Sequence, residues 1–209
     1  MMSKNQRTFL SAVLAGISIS LGCWISLSIS NPVLGAMLFA CGLLAVRSLK
    51  FDLFTGKTQF MTTKTYPAPY YIVILLGNIT GCLFMAVIAS VAVRSGAMSI
   101  SLTKAEQTLL EAFSKATACG MLMTIATASN TPMFVSVMCV MAFILAGFNH
   151  CIADAFYMIA AKNFSWTWFA TLAGNIMGGA ILGLLNFNEK KGKKNERKRI
   201  HDACSRSGS

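Results

Sequence analysis

His150 is the one histidine set inside an apolar stretch; the other, His201, lies in a basic terminal run. It stands in Leu145-Ala146-Gly147-Phe148-Asn149-His150-Cys151-Ile152-Ala153-Asp154. Ionisable groups at membrane depth face a protein interior or an aqueous path and avoid lipid. Desolvation penalises an imidazolium more than the neutral ring. The neutral ring still donates one hydrogen bond to an anion, or relays a proton. The competing reading is a packing histidine bonded to a threonine or a backbone carbonyl. A second stretch, from Val46 through Arg47, Lys50, Asp52, Phe54, Thr55 and Lys57 to Thr58, puts three cations and a carboxylate where an apolar span should run. Backbone that leaves the helix at that depth survives only where protein or a water-filled cavity satisfies it. Both stretches therefore read as broken helices facing the interior.

Near them lie two copies of a short motif, Gly77-Asn78-Ile79-Thr80-Gly81 and Gly174-Asn175-Ile176-Met177-Gly178, 97 positions apart. A similar offset relates Leu53-Phe54-Thr55-Gly56 to Gly147-Phe148-Asn149-His150. Two matching halves, each with polar residues in mid-membrane, point to a transport path between them. The motif glycines permit close helix approach. Asn78 and Asn175 are read as hydrogen-bond partners of neighbouring helices and not as ligands.

The elements that must carry these residues are membrane spans. Of the 209 residues, 55% are hydrophobic and only 12% charged, about half the charge of a soluble domain. Six apolar segments run roughly over 8–30, 32–49, 70–93, 108–128, 132–161 and 165–187, each near the ~20 residues that cross a bilayer as helix. The first is too long for a signal-peptide core. With the N-terminus inside, Lys4, Arg7, Lys57, Lys64 and a basic tail collect on the cytoplasmic side, and Arg94, Lys104 and Lys162 outside. That bias places both termini in the cytoplasm. The expected organisation is a cytoplasmic N-terminus (1–7), a six-helix domain (8–187) and a tail (188–209). Three helices per half make the repeat inverted.

The net charge of +11 is concentrated, with eight of the 18 basic residues after Phe187. Such a tail is attracted to anionic lipid. It lacks the aromatic interleaving of a nucleic-acid binder, so no nucleic-acid partner is expected. The seven cysteines form no C-x-x-C pair and read as small buried hydrophobes. With two distant histidines and no nucleophile–base set, P-loop or metal cluster, neither an enzyme nor a cofactor is expected.

Taken together, the chain resembles the formate/nitrite transporter family. Leu53-Phe54-Thr55 matches that family's Leu-Phe-Thr stretch. Gly147 to Asp154 matches its Gly-Phe-Glu-His-Ser-Ile-Ala-Asn, and Gly174 to Gly179 its Gly-Asn-Ile-x-Gly-Gly. The resemblance covers about residues 8–187. It implies an all-α, aquaporin-like bundle of six transmembrane helices in two inverted repeats, with the second and fifth helices broken. It also implies a homopentamer in the cell (inner) membrane, each protomer passing small monovalent anions of weak acids: formate, nitrite or hydrosulfide. Thr55 and His150 would face each other at the pore centre. Lys104 would sit in the loop before the fourth helix. Phe39, Leu43, Phe54 and Phe143 would form two constrictions, and Met123 would line the pore. Asn149 stands beside the histidine, on the substrate pathway, where the family has a glutamate; that change bears on how the ring is held. For each constriction residue the alternative is ordinary packing. An anion in a dry apolar collar loses its hydration at high cost, and a neutral acid loses far less. A cation such as Lys104 would concentrate the anion before the collar. A water or glycerol channel should carry two Asn-Pro-Ala motifs; only Asn31-Pro32-Val33 comes near one.

Overall fold

The structure is a computed structural model that describes residues 2–185. The basic tail and His201 lie outside the described residues. These are helical, with no strand among them. Eight α-helices follow one another: α1 (Lys4–Leu27), α2 (Pro32–Ser48), α3 (Phe54–Lys57), α4 (Ala68–Ala105), α5 (Leu109–Thr127), α6 (Met133–Leu145), α7 (Cys151–Ala161) and α8 (Thr167–Leu185). A single 3₁₀ turn, Thr58–Phe60, follows α3. Residues Lys4–Leu27, Ala68–Ala89, Leu109–Thr127 and Thr167–Leu185 are each long and apolar enough to cross a bilayer alone. The segments expected around 32–49 and 132–161 are each interrupted and continue as α3 and α7.

Local sequence explains the boundaries. Ser3 accepts from the Gln6 amide and the Gln6 side chain returns to the Ser3 amide, a capping box that starts α1. Asn31 accepts from the Val33 and Leu34 amides and Pro32 occupies the first turn of α2. The Asn-Pro pair is thus a helix cap. α4 departs from expectation. It was expected to stop near 93 and continues to Ala105, about 57 Å at 1.5 Å per residue. No proline interrupts residues 90–105, and Thr103 returns its hydroxyl to the Ser99 carbonyl, so nothing breaks the helix.

Both interruptions have the same construction. α2 closes through Lys50, at φ 57°, with the Phe51 amide on the Val46 carbonyl at 2.9 Å. α6 closes through Gly147, at φ 66°, with the Phe148 amide on the Phe143 carbonyl, also at 2.9 Å. These are the left-handed helix ends that glycine favours; Lys50 accepts roughly 1–2 kcal/mol of strain to make one.

The two Asn motifs hold the interruptions. Asn78 accepts from the Phe54 amide and donates to the Ala12 and Asp52 carbonyls at 2.8–3.0 Å. Asn175 accepts from the Cys151 amide and donates to the Ala116 and Asn149 carbonyls at 2.8–2.9 Å. The bond set recurs 97 positions on, which also corrects the register of the second motif pair: Leu53 stands where His150 stands, one residue before a restarted helix. Gly16 and Gly120 complete each unit. A Cβ at either would collide with the backbone carbonyl of Asn78 or Asn175, so only glycine lets α1 and α5 approach this closely. α1 packs on α4 and α2, α2 on α6, and α7 on α4.

Candidate functional site

The interruptions bring Thr55 and His150 together. Thr55 sits in the first turn of α3 and His150 is the N-cap of α7; they are 0% and 1% exposed. Thr55 Oγ1 and His150 Nε2 are 2.8 Å apart. The other ring nitrogen, Nδ1, accepts from the Ala153 amide at 3.2 Å. An amide can only donate, so Nδ1 carries no proton here and Nε2–H is the donor toward Thr55. Thr55 Oγ1 therefore accepts from the ring, and its own hydroxyl proton is free to be donated. The ring stacks on Phe143, with centroids 5.6 Å apart, and Phe143 meets Phe39 edge-on at 5.9 Å.

On one side His150 lines a cavity of about 280 Å³ together with Phe39, Lys104, Phe143, Asp154 and Tyr157; Thr55 is not in its wall. A second cavity, of about 600 Å³, lies where α2 and α5 end. Arg47, Lys50, Leu53, Lys57, Gln59 and Tyr66 are in its wall. Leu43, Phe54 and Met123 are buried and line neither cavity.

Lys104 lies in the last turn of α4 and not in a loop. Its Nζ donates to the Gly147 carbonyl (2.9 Å), the Phe148 carbonyl (3.0 Å) and Asn149 Oδ1 (2.7 Å). A cation there meets carbonyls just past the C-terminus of α6, where the helix dipole is negative. Asn149 supplies an oxygen without charge, so Lys104 keeps its positive charge beside the cavity. The Asn149 amide nitrogen is spent on Gln107 and Thr171.

The sequence model of the formate/nitrite transporter family matches residues 1–187. The chain belongs to the formate/nitrite transporter family. It is a multi-pass membrane protein. Two solved structures share its fold. One, an FNT family ion channel, has a TM-score of 0.76 at 21% identity, over 88% of this chain and 90% of that one. The other, a pentameric formate channel with formate bound, has a TM-score of 0.73 at 21% identity, over 89% of this chain and 97% of that one. At this identity the likeness concerns the fold. No curated protein sequence matches the chain.

Within that family frame, the structure juxtaposes Thr55, His150, Phe39, Phe143 and, around the same cavity, Lys104. It holds Asn149 behind Lys104, away from the ring: Thr55 and the Ala153 amide orient the imidazole, so the missing family glutamate does not bear on that. Two groups escaped the sequence reading. One is the cationic wall of the larger cavity. Arg47 is partly spent there on the Ala128 and Thr131 carbonyls and on Ser136, while Lys57 pairs with Asp52 at 3.2 Å. The other is Asp154, whose signal was its spacing: four residues past His150 on a helix is the same face. Glu111 and Lys115, four residues apart on α5, pair at 2.7 Å, and Lys115 also reaches the smaller cavity.

Proposed function

We propose that the protein conducts small monovalent weak-acid anions, formate or nitrite first and hydrosulfide as the nearest rival, across the cell membrane. The observation that carries this reading is the Thr55–His150 pair, at 2.8 Å, flanked by an apolar-walled cavity beside Lys104. A cation beside a concave site raises the local concentration of anions. The Phe39–Phe143 collar charges a desolvation penalty to an anion and little to a neutral acid. Between them the Thr55 hydroxyl, oriented by the imidazole, offers the one donor a monovalent oxyanion needs. Membership of the family and the bound formate of a protein with this fold support the substrate class.

In this reading α2 with α3, and α6 with α7, each form one broken span, giving six spans in two inverted repeats of the aquaporin-like kind. The recurrence of the Asn78 bonds at Asn175 supports it. Lys4, Arg7, Lys57 and Lys64 then share the cytoplasmic side with both termini. The broad apolar outer surface, with Val87, Phe134 and Trp166 well exposed, suits lipid and neighbouring protomers, and the pentameric state of the similar structure supports a homopentamer.

Proteoliposomes test the substrate class. Swelling is expected in formate and nitrite gradients, above the rate of protein-free vesicles, and no faster water flux than in those controls. Equal rates with and without protein for formate, nitrite and hydrosulfide would falsify the reading; a response to water or glycerol alone would make it a neutral-solute channel. Cysteine labelling at residues 2 and 205 is expected to report the same side, and labelling from opposite sides would remove the inverted repeat.

A further inference from the structure

The smaller cavity holds a carboxyl group that none of these contacts uses. Asp154 is 4% exposed and lies one helical turn past His150 on α7. It lines the cavity together with His150, Lys104 and Tyr157. Its Oδ2 has no hydrogen-bond partner among the described residues. Leaving a buried polar atom bare costs about 1–3 kcal/mol. An oxygen placed on a cavity wall in that condition calls for a proton, its own or one carried by the molecule in the cavity.

Its neighbours are already engaged. The titratable and charged groups facing Asp154 are Lys104 of α4, Cys119 of α5, Cys23 of α1 and, on its own helix, His150, Cys151 and Tyr157. Lys104 spends its three donors on the Gly147 and Phe148 carbonyls and on Asn149. Lys115, at the cavity from α5, is paired with Glu111. Tyr157 lies close to the buried Cys23 thiol. Gaining a proton at His150 Nδ1 breaks the α7 cap, and losing one at Nε2 breaks the Thr55 bond. A proton exchanged at Asp154 Oδ2 breaks neither. The family motif quoted above carries its carboxylate just before the histidine; this chain has Asn149 there and a carboxylate at the motif's last position.

We propose that Asp154 is the proton-exchanging residue of the path, a role that rests on the weak-acid reading above. The anion enters the cavity and takes the proton of Asp154 Oδ2–H: that O–H bond breaks as the O–H bond of the neutral acid forms, leaving the Asp154 carboxylate. The neutral acid crosses the apolar collar. Hydronium reaching the cavity from the same side returns a proton to Asp154. An anion and a proton thus travel together and no net charge crosses.

Formate uptake, proton entry (an entrapped pH dye) and membrane current are measured on the same proteoliposomes, with protein-free rates subtracted. Absence of protein-dependent uptake of formate, and then of nitrite and hydrosulfide, by the wild type overturns the weak-acid reading and this proposal with it. Where uptake occurs, the expected result is a proton entering with each formate, and uptake that falls several-fold from external pH 5 to pH 8. Asp154→Asn, nearly isosteric, is expected to carry formate several-fold more slowly, as current and with a flat pH profile, and Asp154→Glu to restore proton entry. A wild type that carries formate purely as current, or an Asp154→Asn protein that keeps the wild-type proton ratio and pH slope, overturns the proposal while leaving the weak-acid reading intact. If Asp154→Asn does not assemble, Asp154→Ser makes the same comparison, and the wild-type proton ratio decides by itself.

Discussion

Asn175→Ala and Asn78→Ala proteins are expected to melt far below the wild type in mild detergent. Each side chain makes three hydrogen bonds: two to backbone groups that no helix satisfies, an amide of the restarted helix and a carbonyl of the interruption, and one to a carbonyl inside α1 or α5 that already has its helical partner. Hydrogen bonds between membrane helices average only about 0.6 kcal/mol, because the polar groups find other partners when separated. These do not. The two orphaned groups stay buried in the folded protein, and at about 1–3 kcal/mol each the loss is roughly 2–6 kcal/mol per asparagine. Asn31→Ala is the control. Its cap is exposed, and removing it costs about 0.5–2 kcal/mol. Thermal unfolding followed by loss of the monodisperse species separates the cases. Midpoints for the two buried variants no lower than that of Asn31→Ala would mean that these asparagines are accessories to the helix interruptions.

His150→Phe is expected to cut formate uptake by roughly tenfold to a hundredfold, the equivalent of the 1.5–3 kcal/mol that a hydrogen bond to a charged group contributes. An aromatic ring fits the stack on Phe143, but it supplies neither the Nε2–H that orients Thr55 nor the Nδ1 that caps α7. His150→Asn separates the two losses: asparagine caps well and is too short to reach Thr55. It should therefore assemble like the wild type and conduct like His150→Phe. His201→Ala, in the terminal run, should change nothing. The pH profile adds a second discrimination. With the exchanging proton on Asp154, the residual uptake of His150→Phe keeps the wild-type slope between pH 5 and 8. A flattened slope in this variant would place proton exchange on the imidazole, as the sequence suggests on its own.

Much of this was legible before any coordinates. The paired Gly-Asn-Ile motifs stood out because a backbone that stops being helical inside a membrane needs a dedicated polar partner. Only a few residue types supply one. Gly147 marked one interruption through its conformational freedom, and the cations around Lys50 marked the other. The register of the repeat was misjudged by three positions, since the eye aligned Gly147 with Leu53 by residue type. Hydrogen-bond geometry aligns Lys50 with Gly147 and Leu53 with His150 instead. The far end of α4 was misjudged as well: hydropathy falls after residue 93 while helix propensity does not, and hydropathy reports the membrane's edge, not the end of the helix.

By itself the sequence determined the membrane environment and the interrupted helices, and the family resemblance added the meeting of Thr55 with His150. Those follow from hydropathy, from backbone chemistry at glycine and asparagine, and from motifs close enough in type to be matched. Only the tertiary structure decided what Lys104, Asn149 and Asp154 do. Lys104 turned from a free loop cation into the donor to carbonyls just past α6, and Asn149 into its uncharged acceptor. Asp154 was left as the buried carboxyl with an unpartnered oxygen on the cavity wall. Such roles depend on which donors converge within about 3 Å across three or four helices, and residues more than forty positions apart carry no mark of that convergence in their order along the chain.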